Sequence, residues 1–265
     1  VDAAGVHPLL LAIGSERYTP YLPTKQPAEI LTIANHILGT GQLSLAKFLF
    51  ITADETNQLT TSDIGSYFNY VLERIDLKRD IHFYTNTTID TLDYSGSDLN
   101  AGSKVLFAAY GEKIRNLATS LPSNLTNLIG VENINMVHPG ILAFQLNKYS
   151  TAEQAQKEIE SINHQLSKKL EVLNEIAMII LCDDASFVSK NLNNFLWTTF
   201  TRSNPSHDIH GVDSFTVNKH WGCNGPLIID ARIKPHHAPV VELDSAILKK
   251  TDRLFSSGGS LHGVI

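Results

Sequence analysis

The feature that most constrains this chain is an alternation of short apolar runs with segments of helical period, met twice along its length. Pro8 to Ile13 is an apolar run closed by Gly14, the pattern of a strand buried on both faces. Residues 27–38 place Ile30, Leu31, Ile33, Ala34, Ile37 and Leu38 at helical spacing and stop at Gly39 and Gly41. Phe48-Leu49-Phe50-Ile51 predicts the next strand, and Ser62-Asp63 caps a helix running to about Leu77. Asp80 to Tyr84 and Lys104 to Ala109 read as two more strands around a loop from Asn86 to Gly102. An order β-α-β-α-β-β calls for a sheet with helices packed on it.

The order then begins again. His138-Pro139-Gly140-Ile141-Leu142-Ala143-Phe144 echoes His7-Pro8-Leu9-Leu10-Leu11-Ala12-Ile13, and a helical stretch at about 151–170 follows. Met178 to Asp184 echoes Phe48 to Asp54 at an offset of 130, and Arg202 with Asp208-Ile209-His210 echoes Arg74 with Asp80-Ile81-His82 at an offset of 128. Gly225 echoes Gly102 at an offset of 123, a drift that loop-length changes between two copies produce. The expected fold is α/β: two tandem copies of a β-α-β-α-β-β unit at 1–112 and 131–240, their sheets flanked by helices. A breaker-rich linker with Pro122, Asn124 and Gly130 fills 113–130. In the last region, 241–265, Leu243, Ala246, Ile247, Leu248 and Leu254 predict an amphipathic C-terminal helix that packs on a partner chain, ahead of a flexible Ser256 to Ser260.

Composition narrows the function classes. With 265 residues, 43% of them hydrophobic, and a mean hydropathy of −0.05, the chain can bury a large core. No run reaches the roughly 18 apolar residues of a membrane span. A net charge of −6 without a Lys/Arg block argues against a nucleic-acid partner. Cys182 and Cys223, with forty residues between them, form no metal or disulfide pattern, which points to a reducing, cytoplasmic home. Asn86-Thr87-Thr88 and Asn124-Leu125-Thr126 match a glycosylation sequon and read as ordinary loop residues. A start at Val1, close to an apolar strand, reads as a cut piece of something longer.

Four constellations are candidates for chemistry. His207, His210, His220, His236 and His237 lie close together in sequence, and converging histidines suit zinc or iron, although no helical His-x-x-x-His face is present. The alternative function they support is a metal-dependent hydrolase using His207, His210, His236 and His237. Arg202 sits where Asn204-Pro205 ends a helix, within reach of Asp208, and Arg74 with Asp80 repeats the arrangement; both pairs read as structural salt bridges, with an anion or substrate clamp as the alternative for Arg202 and Asp208. Asp54-Glu55 and Asp183-Asp184 end strands, a place for metal or ribose contacts and, more commonly, for helix N-caps. Lys104 after Gly102-Ser103 can touch a phosphate, but no GxxxxGK[ST] loop, Ser-His-Asp set or Rossmann glycine pattern occurs.

The first copy resembles the C-terminal domain of the UbiD family of decarboxylases through Lys47-Phe48-Leu49-Phe50-Ile51, Asn86-Thr87-Thr88-Ile89-Asp90-Thr91-Leu92-Asp93-Tyr94 and Gly102-Ser103-Lys104. The second copy resembles it through Cys182-Asp183-Asp184 and the stretch from Trp197 to Asp208, and the whole looks most like the longer UbiD-like enzymes of menaquinone biosynthesis. The resemblance implies a parent enzyme that decarboxylates aromatic or unsaturated acids in quinone biosynthesis, with prenylated FMN and a divalent metal in a separate β-barrel domain. That domain's Glu-Gly-Pro-Phe-Gly-Glu type of segment is absent, so no catalytic residue, flavin or metal is expected in this chain. Its partners would be the missing N-terminal catalytic domain, further copies in a homo-oligomer and a small aromatic acid. Thr87, Ile89, Leu92 and Lys104 would form a lid on the substrate cleft, although Gly225-Pro226-Leu227 keeps no lysine at the corresponding place. A free-standing ligand-binding scaffold is the remaining alternative.

Overall fold

The computed structural model describes residues 7–264 apart from 20, 22, 126 and 239–243. Thr126 of the second sequon, Pro239 and Leu243 therefore lie outside the described residues. The apolar runs become strands. β1 (Leu9–Gly14), β2 (Phe48–Ala53), β3 (Ile81–Thr87) and β4 (Gly102–Ala109) form one sheet in the order β1-β2-β4-β3, with β3 antiparallel on β4 and the other pairs parallel. A second sheet holds β5 (Asn133–His138), β6 (Ile141–Gln145), β7 (Met178–Cys182), β8 (Ile209–Gly211) and β11 (Leu227–Asp230) in the order β5-β6-β7-β11-β8. Here β6, β7 and β11 are parallel and β8 is antiparallel on β11, so four strands repeat the order and directions of the first sheet. A separate hairpin, β9 (Ser214–Val217) and β10 (His220–Cys223), projects between β8 and β11 in the chain.

Helices fill the spaces these strands leave. α1 (Glu29–Leu38) precedes β2, and α2 (Ile64–Arg74) starts where the Asp63 carboxylate accepts from the Ser66 N–H, as the capping residue predicts. In the second half come α3 (Ala152–Ser167), α4 (Ala185–Ser189), α5 (Leu192–Thr201) and α6 (Pro205–Asp208). α7 (Ser245–Phe255) follows the undescribed 239–243, and none of its residues is buried. No helix among the described residues is long and apolar enough to cross a membrane.

Successive strand side chains point to opposite faces, and the three cores follow that period. Leu49, Ile51, Leu106 and Ala108 meet Ile30 and Ala34 of α1. Leu142, Phe144, Ile179, Leu181 and Ile228 meet Ile159, Ile162 and Leu166 of α3. The opposite faces of both sheets share one core: Phe48, Phe50 and Phe107 from the first, Ile141, Met178, Ile180 and Ile229 from the second, with Tyr67, Phe68 and Val71 of α2 and Phe195 and Phe200 of α5. Phe200 of α5 lies 4.9 Å from Phe48 in ring centroids, and Phe195 lies 5.9 Å from Phe68.

Three sequence expectations shift. His138-Pro139-Gly140 is not the start of a strand: Gly140, at φ +73°, turns β5 back onto β6, and β5 has no counterpart in the first sheet. The reason is that an apolar run does not reveal the conformation of a glycine within it. The stretch 113–130 is packed, since Ala118, Leu125 and Leu128 join the α3 core and the Arg115 guanidinium donates to the carbonyls of Leu72 and Ile75 at 2.6 and 2.8 Å. Of the acidic strand ends, only Asp184 caps a helix, accepting from Phe187 N–H. Asp54 instead caps a turn through the N–H groups of Thr56, Gln58 and Leu59, while Glu55 pairs with Lys25.

Candidate functional site

The chemically richest place in the molecule is a junction where the loop after β3 meets the strand ends of the second sheet. Lys47, immediately before β2, is buried to 1% exposure, because the chain enters the sheet there from beneath the loop. Its ammonium lies 2.7 Å from the Asp93 carboxylate and donates to the Ser95 hydroxyl at 2.5 Å, and Ser95 in turn donates to Asp93 at 2.6 Å. At the base of the same loop Asp90 pairs with His7 at 2.6 Å. Across the junction, Ser103 of β4 donates through its N–H and its hydroxyl to the Asn204 side-chain carbonyl, and accepts from Ser206 N–H at 2.8 Å.

The other half of the junction sets two cations, Lys234 and Arg232, among three carboxylates, Asp208, Asp230 and Glu158. The Lys234 ammonium lies 3.3 Å from Asp208 and donates to the carbonyls of Asp230 and Arg202 at 2.9 and 3.2 Å. Asp208 also accepts from Asn204 N–H at 2.6 Å. Arg232, with no exposed side chain, holds Asp230 at 2.8 Å and Glu158 at 2.6 Å. Burial pushes the Asp208 carboxyl up despite Lys234, and burial pushes the Lys47 ammonium down despite Asp93. For Asp230 burial also acts upward, but the Arg232 hydrogen bond and the Lys234 and Arg232 charges outweigh it and hold the group below the usual carboxylate range. A buried pair satisfied in this way is strongly destabilising to break and contributes little over an apolar pair. Beside the junction opens a cavity of about 210 Å³ lined by Tyr149, Gln156, His207, Asp208, His210 and Lys234 among others.

The sequence-derived candidates fall on both sides of this picture. His207, His210 and His236 do line that cavity, and His237 stands next to it, but no group of three His, Cys, Asp or Glu residues among the described residues can hold a metal ion. His220 lies elsewhere, against His82. The Arg74–Asp80 and Arg202–Asp208 pairs do not form. Arg74 folds back over the Tyr70 ring at 3.7 Å and bonds Glu73, while Asp80, 1% exposed, takes the adjacent Arg79 at 2.6 Å. Arg202 faces Asp183 at 3.7 Å because Lys234 occupies Asp208. Sequence spacing could not supply Lys234, which arrives from the far end of β11.

Of the four residues expected to form a lid, Ile89 is buried at 1% exposure and Lys104 at 4%, its ammonium bonded to the Ser44 carbonyl. Thr87 is half-buried at the end of β3, and Leu92 is 53% exposed at the loop tip. Lys47, Asp93, Ser95, Asp230, Arg232 and Lys234 were missed as a cluster. The available signals were a lysine set against an apolar strand and the charged Asp230-Ala231-Arg232 run closing another. The junction cavity is too small for a flavin, and a larger cavity of about 700 Å³ is walled mainly by Leu, Phe, Trp, Asn and Thr, with no cation among its lining residues to meet a phosphate.

His237 gives the junction a pH signature. Its Nδ1 accepts from Lys234 N–H at 3.2 Å and its Nε2 has no partner. Burial, followed by the charges of Lys234, His236, Lys47 and Arg202, pushes the imidazole from 6.5 down to about 3. The unfolded chain accepts a proton at about 6.5 and the folded chain does not, so the stability this neutral ring contributes is complete above about 6.5 and is lost as pH falls toward about 3. His237→Gln is expected to decline less steeply in unfolding free energy between about pH 6.5 and 4 than the parent chain. Identical slopes in denaturant titrations would refute the assignment.

Residues 1–109 match the profile of the 3-octaprenyl-4-hydroxybenzoate carboxy-lyase C-terminal domain, UbiD_C. A protein of Chlamydia pneumoniae named as a subunit of 4-hydroxybenzoate decarboxylase is 33% identical over 247 residues, which are 93% of this chain and 38% of that protein. Uncharacterized proteins of Chlamydia muridarum and Chlamydia trachomatis are 34% and 35% identical, each over 96% of this chain, covering 40% and 39% of their own lengths. The chain thus spans about 40% of the length of the curated relatives it matches. Among solved structures, the vanillic acid decarboxylase of Sedimentibacter hydroxybenzoicus is similar at 16% identity and a TM-score of 0.32, over 66% of this chain and 44% of that one. A dimeric form of the UbiD-class enzyme HmfF from Pelotomaculum thermopropionicum, in complex with prFMN, is similar at 12% identity and a TM-score of 0.29, over 62% of this chain and 42% of that one. TM-scores this low carry no argument, whereas the sequence matches do: residues 1–109 of the chain are similar to a UbiD C-terminal domain.

Proposed function

We propose that the chain is the C-terminal, non-catalytic region of a UbiD-like carboxy-lyase, which removes CO2 from an aromatic or unsaturated acid of the kind used in quinone biosynthesis. The observation that carries this reading is the match along 93% of the chain to a relative named for 4-hydroxybenzoate decarboxylation, of which the chain is only 38%. The shared strand order of the two sheets supports a division into two copies of one unit, at 1–112 and 131–240.

In this reading the remainder of the polypeptide holds the prenylated FMN and its divalent metal, and this region closes over the aromatic substrate. The exposed Leu92 supplies the lid contact, with Thr87 beside it. Ile89 and Lys104 support the loop from below, and Asp93 on Lys47 pins its base. α7, with Ile247 61% and Leu248 41% exposed, serves the homo-oligomer. Two buried free thiols suit a cytoplasmic enzyme. The test is to produce the 265-residue chain together with a flavin prenyltransferase and record its absorbance. A folded protein without flavin bands is the expected result, and a stoichiometric flavin spectrum would overturn the reading.

A further inference from the structure

The seam between the two halves holds a cavity that the decarboxylase reading does not use. β3 is the edge strand of the first sheet, and on the side away from β4 its neighbour is β10 of the hairpin, which belongs to a different sheet. β10 is fastened to the segment that leads into β3. Cys223 N–H donates to the Leu77 carbonyl at 3.1 Å, and Gly222 allows the approach, since a Cβ there would lie 2.7 Å from the Lys78 carbonyl oxygen. Farther along, the two strands are not paired, and between them lies a space of about 440 Å³.

Its lining has a definite chemistry. Flat surfaces come from Phe83 and Trp221, whose rings meet edge to face at 5.5 Å and 86°. Polar groups come from His82 and His220, 5.4 Å apart between ring centroids, and from Lys219, Thr85, Thr216 and Ser206. No Asp or Glu lines the cavity, although Asp and Glu outnumber Lys and Arg by 27 to 21 in the chain. Nε2 of His220 is buried without a hydrogen-bond partner. A buried polar atom left unpaired is costly, and here it stands in the wall of an open cavity. Lys219 is held at the rim in the left-handed conformation, at φ +66°, by the tight β9–β10 turn. The volume lies in the lower part of the range for small-molecule sites, where apolar walls give affinity and a few polar groups orient the ligand.

We propose that this seam cavity is a binding site for a small planar aromatic anion, an arenecarboxylate in class, with the ring against Trp221 and Phe83 and the carboxylate toward Lys219 and the two imidazoles. Rings favour offset or edge contacts with aromatic side chains, and a carboxylate takes charge-assisted hydrogen bonds from an ammonium. The site is separate from decarboxylation, and its test reads binding alone, so that it stands or falls independently of the function proposed above.

The chain contains two tryptophans, so Trp197→Phe leaves Trp221 as the only indole. Benzoate is titrated into that variant, with Trp221 emission and calorimetry as parallel readouts. Saturable binding is expected, weakened about tenfold or more when the carboxylate loses its ammonium in Lys219→Asn, a change that suits the left-handed turn. His82→Gln is expected to weaken it as well, and cyclohexanecarboxylate and benzamide, which lack the planar ring or the charge, bind about tenfold more weakly than benzoate. Absence of saturation up to about 20 mM benzoate, which is weaker than about −2.3 kcal/mol of binding, would overturn the proposal. So would equal benzoate affinity in the Lys219→Asn and parent backgrounds.

Discussion

Phe200→Ala is expected to lower the unfolding free energy by about 3–5 kcal/mol, and to do so for both sheets at once. Phe200 is completely buried and belongs to neither sheet. It sits on α5, with ring centroids 4.9 Å from Phe48, 6.0 Å from Phe50, 6.3 Å from Phe68 and 5.8 Å from Phe195. Truncation removes the ring that joins a helix of the second half to strands of the first, and close-packed neighbours collapse only partly into the space. Because the same core contains Ile141, Met178 and Ile229 of the other sheet, the variant should still unfold in one transition, shifted to lower denaturant. Two separated transitions in fluorescence and far-UV circular dichroism would show that the halves are independent.

Lys47→Met is the second large effect. Asp93 would keep its place with 3% side-chain exposure and lose the ammonium 2.7 Å away. Removing one member of such a buried pair costs about 3–5 kcal/mol. Replacing both members, as Lys47→Met with Asp93→Leu, is expected to recover most of that loss, since no charge is left stranded. Chemical denaturation of the four proteins in the cycle gives the coupling, and a double variant as unstable as Lys47→Met alone would show that packing, rather than charge, sets the effect.

Much of the architecture was legible because burial imposes periods. The alternation in Phe48-Leu49-Phe50-Ile51 and Met178-Ile179-Ile180-Leu181 serves two cores at once, which is why these runs are apolar at every position. Helix starts were legible where a capping side chain marks them, as at Asp63 and Asp184. The β5–β6 turn was not, because Pro139-Gly140 interrupts a run whose hydrophobicity continues. The junction escaped for a different reason. Lys47, Asp93, Asp208 and Lys234 come from four separate stretches, and ion pairs between distant segments leave no periodic trace. Arg74 and Arg202 drew attention because they recur at matching places, yet their geometry follows local competition: Tyr70 and Glu73 take the first, Asp183 the second. The histidine density between His207 and His237 likewise divides among an exposed cavity rim, a neutral buried ring and the seam with β3.

The measurement that bears most directly on the whole account is CO2 release from 4-hydroxybenzoate by three proteins produced alongside a flavin prenyltransferase: the full-length polypeptide, the same polypeptide without this region, and the 265-residue chain alone. The account predicts turnover by the full-length protein, a loss of about a hundredfold or more without the region proposed to close the site, and none from the chain alone. Turnover by the chain alone, or full turnover without it, would contradict the account.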